Sequence, residues 1–261
     1  MSSKRDILVI EDERSVSRAV EMVCDHAGMS VTAVDSATGA LEMLDRFCFR
    51  LALCDIMMQG LDGFGFLEEL DQLGRTDPVV MMTGYSTMEN AVKSLSMGAI
   101  DYIPKPFTAD ELLTVIRRSL RSSMLREAAY AAKMEHERSM SFVPSPAGYH
   151  RLGYVSWVKL EDEGTAKIGV SDLFLKSVEN IRELELFAVG DQLVQGVPCA
   201  VAITTDGGSH GIMCPMGGKV LEVNENILSD PALVEKDPFF RGWLYRILPS
   251  NPDSNLKWLN S

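Results

Sequence analysis

The chain has 261 residues and a formal net charge of −12, with 46% hydrophobic and 24% charged residues. This length and composition suit two ordinary globular domains, each with its own core. The acidic balance argues against a nucleic-acid partner, since binding to a phosphate backbone requires a cationic face. No apolar run reaches the ~18 residues of a membrane helix, and the first residues lack the apolar stretch of a signal peptide. We therefore expect a cytoplasmic protein with no membrane partner.

The cysteines point to a reducing environment. None of the five belongs to a C-x-x-C pair, and most lie in apolar runs. We therefore expect buried, reduced thiols and neither disulfides nor a cysteine metal site.

Short apolar runs alternate with helical patterns in the first half of the chain. Continuous runs at 7–10, 51–54 and 79–82 are typical of parallel strands that are buried on both faces. Two further strands are predicted at 31–34 and 101–103. The pattern predicts an α/β domain in (βα)5 order, whose working site lies beyond the carboxyl ends of the strands.

Charged and hydroxyl side chains stand where these predicted strands end. Glu11 and Asp12 follow the first strand, Asp55 ends the third, Thr83 ends the fourth and Lys105 follows the fifth. Three carboxylates at one edge raise each other's pKa unless a cation joins them, and Mg²⁺ is the hard, oxygen-ligated ion best suited to this. An ionised aspartate beside Mg²⁺, a hydroxyl and an ammonium is equipped to accept a phosphoryl group by in-line attack.

The motifs of this half resemble the receiver domain of bacterial two-component response regulators, over about residues 4 to 122. The stretches "ILVIEDE", "LCDIMMQGLDGFGFL", "VVMMTGYS" and "DYIPKPF" occur in the order expected for that family. The resemblance implies a flavodoxin-like fold, with Asp55 as the phosphoacceptor loaded by a sensor histidine kinase. It also implies that Mg²⁺ is held by Glu11, Asp12, Asp55 and the main-chain carbonyl of Met57.

Further roles follow from the same resemblance. Thr83 contacts a phosphoryl oxygen, Lys105 pairs with the phosphoryl charge, and Tyr102 is the aromatic side chain that switches rotamer. The bond before Pro106 is expected to be cis. The signal would then leave through the fourth and fifth helices, a face through which members of the family commonly dimerise.

Two bulky residues near the acceptor lead to an expectation about phosphate lifetime. Met57 and Tyr85 flank the acceptor and the switch threonine in sequence, and we expect them to slow the access of water. Gln59 stands where the family commonly has proline, a departure that should leave the chemistry intact.

A helical linker is predicted after the first domain. A capping box at Thr108 to Glu111 opens a helix, and no proline or glycine follows between Arg117 and Met140. The apolar positions approximate a heptad seam that Arg117 and Glu127 interrupt, so a dimeric coiled coil and a solvated spacer helix both stay open. Pro144 and Pro146 end the helix.

The second half reads as short strands joined by turns, with strands at 154–160, 165–170, 183–187 and 242–247 among them. It resembles the H protein of the glycine cleavage system, a lipoyl-carrying β-sandwich of the biotinyl/lipoyl type, over about residues 149 to 250. The matching pieces are "KIGVSD", "LELFAVGDQLVQG", "CAVAI", "CPMGGKVLEVNENIL", "DPALVEKDPF" and "GWLYRI".

One departure from that family concerns its defining residue. The family carries lipoate on a lysine at a hairpin tip, and Asp206 or Gly207 stands at that place here. Neither has an amine, so lipoate is not expected. Lys219, the nearest lysine, lies beyond the second turn, and His210 is expected to be a solvent-exposed loop residue.

These observations predict three segments: a receiver domain at 1–122, a helical linker at 123–148 and a non-lipoylated H-protein-like domain at 149–261. The expected function is that of a phosphorelay response regulator whose output is protein contact and not a separate enzymatic activity. The alternative is a regulated carrier, or a decoy that meets lipoate-handling or glycine-cleavage enzymes. A DNA-binding regulator is disfavoured, because the second half contains no helix-turn-helix pattern. The sequence leaves open the cognate kinase, the downstream partner and the oligomeric state.

Overall fold

The computed structural model describes residues 5–84, 87–134 and 141–260. The chain folds into two compact units. Within the described ranges, no helix combines the length and the apolar character needed to cross a membrane.

The first unit is built on a five-stranded parallel sheet. Its strands are β1 (Arg5–Ile10), β2 (Val31–Val34), β3 (Phe49–Asp55), β4 (Val79–Thr83) and β5 (Asp101–Pro104). They lie in the order β2-β1-β3-β4-β5, and every neighbouring pair is parallel. The order changes direction at β1, so the carboxyl ends of β1 and β3 meet where an open α/β sheet places its ligand site. The flavodoxin-like prediction is confirmed.

Helices connect these strands. They are α1 (Arg14–His26), α2 (Ala37–Arg46), α3 (Gly63–Gln72), α4 (Met88–Ser96) and α5 (Ala109–Met134). The capping box before α5 is confirmed, since the Thr108 N–H donates to Glu111 Oε2 at 2.7 Å and the Glu111 N–H donates to Thr108 Oγ1 at 3.2 Å. The part of the predicted linker helix at 135–140 lies outside the described residues.

The core of the first unit fills the space between the sheet and its helices. Strand residues such as Ile7, Leu53 and Val80 are fully buried against helix residues such as Leu112 and Ile116. Successive residues of β1, β3 and β4 are buried on both faces, which explains why the sequence shows continuous apolar runs there.

The second unit consists mainly of antiparallel strands. They are β6 (His150–Leu152), β7 (Ser156–Leu160), β8 (Ala166–Val170), β9 (Ile181–Leu186), β10 (Gln192–Leu193), β11 (Pro198–Thr204), β12 (Ser209–Met213), β13 (Gly218–Val223) and β14 (Tyr245–Pro249). Four short helices accompany them: α6 (Asp172–Val178), α7 (Glu225–Ser229), α8 (Leu233–Lys236) and α9 (Pro252–Leu256).

The strands of the second unit form two sheets. One has six strands in the order β10-β13-β14-β8-β7-β6, and the other has three in the order β12-β11-β9. Ile168 and Ile247 of the larger sheet share one buried cluster with Leu184 and Ala202 of the smaller sheet. This is the arrangement of a sandwich, and the predicted mostly-β second domain is confirmed.

Several details differ from the sequence-based predictions, among them the limits of some strands and the burial of one cysteine. The last strand begins at Tyr245, three residues after the predicted start. All five thiols are free, but Cys48 is exposed, so the expectation of burial holds for the other four alone. Cys48 lies outside the helices and strands, directly before β3.

Candidate functional site

The carboxyl ends of β1 and β3 bring three carboxylates together. Glu11 and Asp12 follow the last residue of β1, and Asp55 is the last residue of β3. One oxygen from each side chain can be chosen so that all three lie within 4.8 Å of one another. We call Glu11, Asp12 and Asp55 the acidic rim; Glu11 and Asp55 are buried, whereas Asp12 is exposed.

Lys105 bridges two members of the acidic rim. Its Nζ lies 2.5 Å from Glu11 Oε2 and 3.0 Å from Asp55 Oδ2. The residue follows β5, and the peptide bond between Lys105 and Pro106 is cis, as predicted. The ammonium therefore offsets the negative charge of two buried carboxylates at once.

Burial has the largest influence on the pKa of Glu11. It raises the pKa of Glu11 above the ordinary value, and the hydrogen bond and charge of Lys105 oppose this rise. The Oδ1 atom of Asp55 is buried and has no hydrogen-bond partner in the described part of the chain. A buried carboxylate oxygen without a donor is costly to keep, which indicates that this atom serves a ligand or a reaction.

Three other residues singled out in the first domain lie near the same edge of the sheet, namely Thr83, Tyr102 and Met57. Thr83, the last residue of β4, is fully buried. Tyr102 of β5 is also buried, its hydroxyl has no hydrogen-bond partner among the described residues, and burial raises the pKa of this hydroxyl to about 12. Met57 lies in the β3–α3 loop with 54% of its surface exposed, while Tyr85 lies outside the described residues.

The rim suits the hard divalent cation that the receiver fold implies. All its ligand atoms are carboxylate oxygens, two of the three residues are buried, and Asp55 Oδ1 has no other partner among the described residues. Mg²⁺ prefers one or two protein carboxylates and keeps several of its waters. The exposed Asp12 is in keeping with such a partly hydrated ion.

A second candidate site is the hairpin between β11 and β12 in the second unit. The turn closes on itself: Thr204 Oγ1 donates to Asp206 Oδ1, and the Gly208 N–H donates to the same oxygen at 3.2 Å. Gly207 adopts a φ of +88°, which favours glycine. The Thr205 N–H also donates to the carbonyl of Asn180 at 3.0 Å. We call residues 204–210 the hairpin tip.

His210 does not lie in an exposed loop, so that expectation is wrong. It is the second residue of β12, and only 8% of its surface is exposed. A Cβ atom on Gly208 would lie 2.9 Å from His210 Nε2 and 2.8 Å from Thr204 Oγ1. The imidazole ring of His210 therefore lies close to the turn and is largely shielded from solvent. The apolar Ile212 and Met213 that follow shortly after His210 are the sequence signal that could have placed it on a strand.

The hairpin tip carries polar groups but no primary amine. Its sequence is Thr-Thr-Asp-Gly-Gly-Ser-His. The Asp206 carboxylate is exposed, and its pKa is lowered mainly by the hydrogen bond from Thr204 and then by the N–H of Gly208. Lys219 lies in β13, where its Cα is paired with those of Gln192 and Leu248. Amide attachment of a carboxylic acid cofactor requires an amine, so the tip offers no such attachment point.

Comparisons with known proteins agree with both units. Residues 7–117 match the response regulator receiver domain, and residues 149–261 match the glycine cleavage H-protein. Residues 7–117 therefore form a response regulator receiver domain. The second half belongs to the glycine cleavage H-protein family.

Each of the following curated relatives matches somewhat more than half of the chain. The chain is 33% identical over 153 residues to the transcriptional regulatory protein ZraR of Escherichia coli O157:H7, which is 59% of this chain and 34% of ZraR. It is 33% identical over 135 residues to FixJ of Bradyrhizobium diazoefficiens, 52% of this chain and 63% of FixJ. The chain thus spans less than two thirds of the length of either relative.

Two solved structures are similar to separate parts of the chain. The receiver domain of NtrX from Brucella abortus is 37% identical, covers 44% of this chain and 98% of its own, and gives a TM-score of 0.42. The glycine cleavage system H protein from Mycobacterium marinum is 22% identical, covers 41% of this chain and 87% of its own, and gives a TM-score of 0.38.

Proposed function

We propose that this protein is a phosphorelay response regulator in which Asp55 accepts a phosphoryl group from a sensor histidine kinase. The observation that carries the proposal is the Lys105 ammonium at 3.0 Å from Asp55 Oδ2, inside a rim of oxygen ligands. In the transfer, a carboxylate oxygen of Asp55 attacks phosphorus while the bond between phosphorus and the donor nitrogen breaks. The Lys105 ammonium offsets the charge that develops on the transferring oxygens.

The remaining rim residues complete this assignment. Glu11, Asp12 and Asp55, with the main-chain carbonyl of Met57, would hold Mg²⁺, which supplies charge neutralisation to the transferring phosphoryl oxygens. Thr83, at the end of the neighbouring strand β4, would donate its hydroxyl to a phosphoryl oxygen. Asp55 Oδ1 is buried and has no donor among the described residues, which supports a role in chemistry for this carboxylate.

The signal would leave the first domain by a change of charge at the rim. A phosphoryl group adds about −1.5 to −2 charge at neutral pH. Thr83 and Lys105 would be drawn toward it, and Tyr102, whose buried hydroxyl lacks a hydrogen bond among the described residues, would change its side-chain conformation. The face formed by α4 and α5 would then bind a partner differently, and a second copy of the chain is one such partner.

For the second domain we propose protein contact as the output, without lipoylation. The absence of an amine from residues 204–210 and the self-closed turn around Asp206 support this. The segment boundaries at 1–122, 123–148 and 149–261 belong to the same proposal, as does the lack of a separate enzymatic output. Its partner would be a protein whose binding depends on the phosphorylation of Asp55.

Phosphorylation of the full chain tests the first proposal. Incubation with Mg²⁺ and acetyl phosphate should add one phosphoryl group to the intact mass, and the acyl phosphate should be more stable to acid than to base. The Asp55→Asn variant should gain none, whereas Asp71→Asn, which alters an exposed aspartate of α3, should behave as the wild type. Labelling of Asp55→Asn at the wild-type level would refute the assignment.

A lipoylation assay tests the proposal that the second domain carries no lipoyl group. Incubation with lipoate, ATP and a lipoate–protein ligase should leave the mass of the wild-type chain unchanged. The Asp206→Lys variant places an amine at the exposed tip and should gain lipoyl mass. A lipoyl adduct on the wild type, lost in Lys219→Arg, would support the alternative of a regulated carrier.

The output is tested by binding. A protein partner that binds residues 149–261 in the full chain should be retained either by the phosphorylated wild type or by Asp55→Ala, but not equally by both. Equal retention by the two forms would contradict an output controlled by Asp55.

A further inference from the structure

The three-stranded sheet of the second unit has two edges of different character. β9 and β12 form these edges, with β11 between them. β9 carries the exposed, charged side chains of Arg182, Glu183 and Glu185, which discourage the pairing of a further strand. β12 has the sequence Ser-His-Gly-Ile-Met, without lysine, arginine, an acidic residue or proline. His210 and Ile212 are buried and hold the strand in place, so the unguarded edge of β12 is a firm template for another strand.

The register of the hairpin identifies the main-chain groups on the free side of β12. The Thr204 N–H donates to the Gly208 carbonyl at 2.9 Å, and His210, two residues further on, is paired with β11. Hydrogen-bonded pairs alternate with non-hydrogen-bonded pairs along an antiparallel ladder. The main-chain N–H and C=O groups of Ser209 and Gly211 therefore point away from β11, toward the open edge.

The surroundings of this edge leave room for an added strand. The Met213 carbonyl accepts the Ser156 hydroxyl at 2.6 Å, so the free stretch ends there. Outside the ladder with β11, the described residues make no hydrogen bond to the main chain of Ser209 or Gly211. A Cβ atom on Gly211 would meet only Pro198, at 3.5 Å. The main chain at Gly211 is therefore open to a neighbour.

The charge around the edge restricts the kind of strand that fits. Glu183 and Glu185 belong to the same sheet, and Asp206 is exposed at the hairpin tip beside β12. The Arg182 guanidinium approaches the Glu183 carboxylate only to 3.9 Å, at the surface, and offsets little of this charge. The chain as a whole carries a net charge of −12, which attracts a cationic segment and repels a second copy of itself.

We propose that the second domain binds its partner protein by strand addition, in which an extended segment with lysine or arginine at alternate positions pairs with the free edge of β12. Main-chain hydrogen bonds to Ser209 and Gly211 supply affinity, and the acidic surroundings select the basic side chains. The inference rests on protein contact as the output in the proposed function, and it adds the surface and the chemistry of the partner.

Fluorescence anisotropy of a labelled peptide with the full chain tests the inference. The probe is a short synthetic peptide that alternates lysine with valine. Gly211→Pro removes the central free N–H at an edge position that tolerates proline, and it should weaken binding about tenfold. Gly211→Ala keeps the N–H and should match the wild type. Equal affinities of the two variants would overturn the proposal.

A modified probe keeps the test decisive if Gly211→Pro does not fold, which tryptophan fluorescence reports. The same peptide methylated on its main-chain nitrogens keeps its charge but loses its hydrogen-bond donors. It should bind the wild-type chain at least about tenfold more weakly. A peptide with glutamate in place of lysine should not bind. Equal binding of the methylated and unmethylated peptides would mean that charge alone holds them, and strand addition would be wrong.

Variants of the protein test the source of the charge selection. Glu183→Gln combined with Glu185→Gln should weaken binding of the lysine–valine peptide severalfold. Asp162→Asn combined with Glu163→Gln removes the same charge from the exposed turn between β7 and β8 and should leave the affinity nearly unchanged. Equal losses in the two double variants would show that the net charge of the chain, and not this sheet, attracts the peptide.

The outcomes also separate this inference from the function on which it rests. If a partner whose retention depends on Asp55 is retained equally by Gly211→Pro, strand addition is wrong and the proposed output stands. If the peptide pairs with β12 equally in the phosphorylated and unphosphorylated chain, the inference stands and the control by Asp55 is wrong. A dimer in sedimentation that Gly211→Pro abolishes would show that a second copy fills the edge, and it would overturn the choice of a basic partner.

Discussion

The acidic rim lies where an open α/β sheet places its ligand site. The hairpin tip was singled out because the resemblance to H proteins places a carrier lysine there. The chemistry of the two places differs. At the rim, two buried carboxylates share one ammonium, and Asp55 Oδ1 has no donor among the described residues. At the tip, the Asp206 carboxylate is exposed and accepts hydrogen bonds from its own turn. Buried charge that is incompletely paired is typical of reactive sites, whereas a self-satisfied polar turn is typical of structure.

The position of a group within a fold therefore does not by itself assign an activity to that group. The rim retains a ligand set that suits a cation and a carboxylate that can react. The hairpin tip contains no primary amine to which a carrier group could be attached. Substitutions at the acidic rim and at the hairpin tip test this difference.

The largest effect is expected at the rim. Glu11→Gln removes a charged ligand and should weaken Mg²⁺ binding by about ten- to a hundredfold, as measured by calorimetry. Glu42→Gln, an exposed change in α2, is the matched control and should leave the affinity unchanged. Equal affinities for the two variants would show that Glu11 is not a ligand.

A smaller effect, on stability, is expected when a methyl group is added at the hairpin tip. Gly208→Ala brings a Cβ to within 3 Å of Thr204 Oγ1 and His210 Nε2, and it should destabilise the second unit by about 1–2 kcal/mol. Gly211→Ala, in the same hairpin, meets only Pro198 at 3.5 Å and should cost less than about 0.5 kcal/mol. Thermal unfolding followed by tryptophan fluorescence reports on this unit, because all three tryptophans lie in it. Equal losses of stability in the two variants would mean that Gly208 does not pack against Thr204 and His210 as described.

A severalfold effect is expected on the lifetime of the phosphoryl group. Met57 is bulky and lies two residues after Asp55, so Met57→Ala should admit water and speed spontaneous dephosphorylation. Met22→Ala, which changes another exposed methionine on α1, should have no effect. Loss of label that is as fast in the wild type as in Met57→Ala would contradict the proposed shielding.

The smallest effect is expected from the titration of the tip. The pKa of Asp206 is lowered in the folded chain, chiefly by Thr204. A carboxyl whose folded pKa lies below its unfolded pKa adds stability above the unfolded pKa of about 3.9, and this contribution is lost as the pH falls through the folded pKa. Carboxyl NMR titration should place the Asp206 pKa below its ordinary value, and Thr204→Val should move it back upward. An ordinary pKa in the wild type would be inconsistent with the hydrogen bonds described.

Much of the first domain could be predicted because its signals are local. Continuous apolar runs mark strands buried on both faces, and the residues that follow these runs must lie at one edge of a parallel sheet. Glu11, Asp12 and Asp55 could therefore be grouped from the sequence. The preference of Lys105 for Glu11 could not, because it depends on the reach of a flexible side chain from a loop after β5.

The second domain was harder to predict for a physical reason. Its strands are short and its turns are rich in glycine, so the start of a strand depends on tertiary contacts. His210 was expected in a loop because glycine and serine precede it, yet the pairing of Ala202 with His210 draws it into β12. The predicted start of β14 was early because Gly242 and Trp243 lie outside the strand.

The most direct test of the central claim identifies the phosphorylated residue in the full chain. After incubation with Mg²⁺ and acetyl phosphate, borohydride reduces an aspartyl phosphate to homoserine, which peptide mass spectrometry can locate. Homoserine is expected at position 55, and only when both Mg²⁺ and the phosphodonor are present. Conversion at another aspartate, or none at all in folded protein, would contradict it.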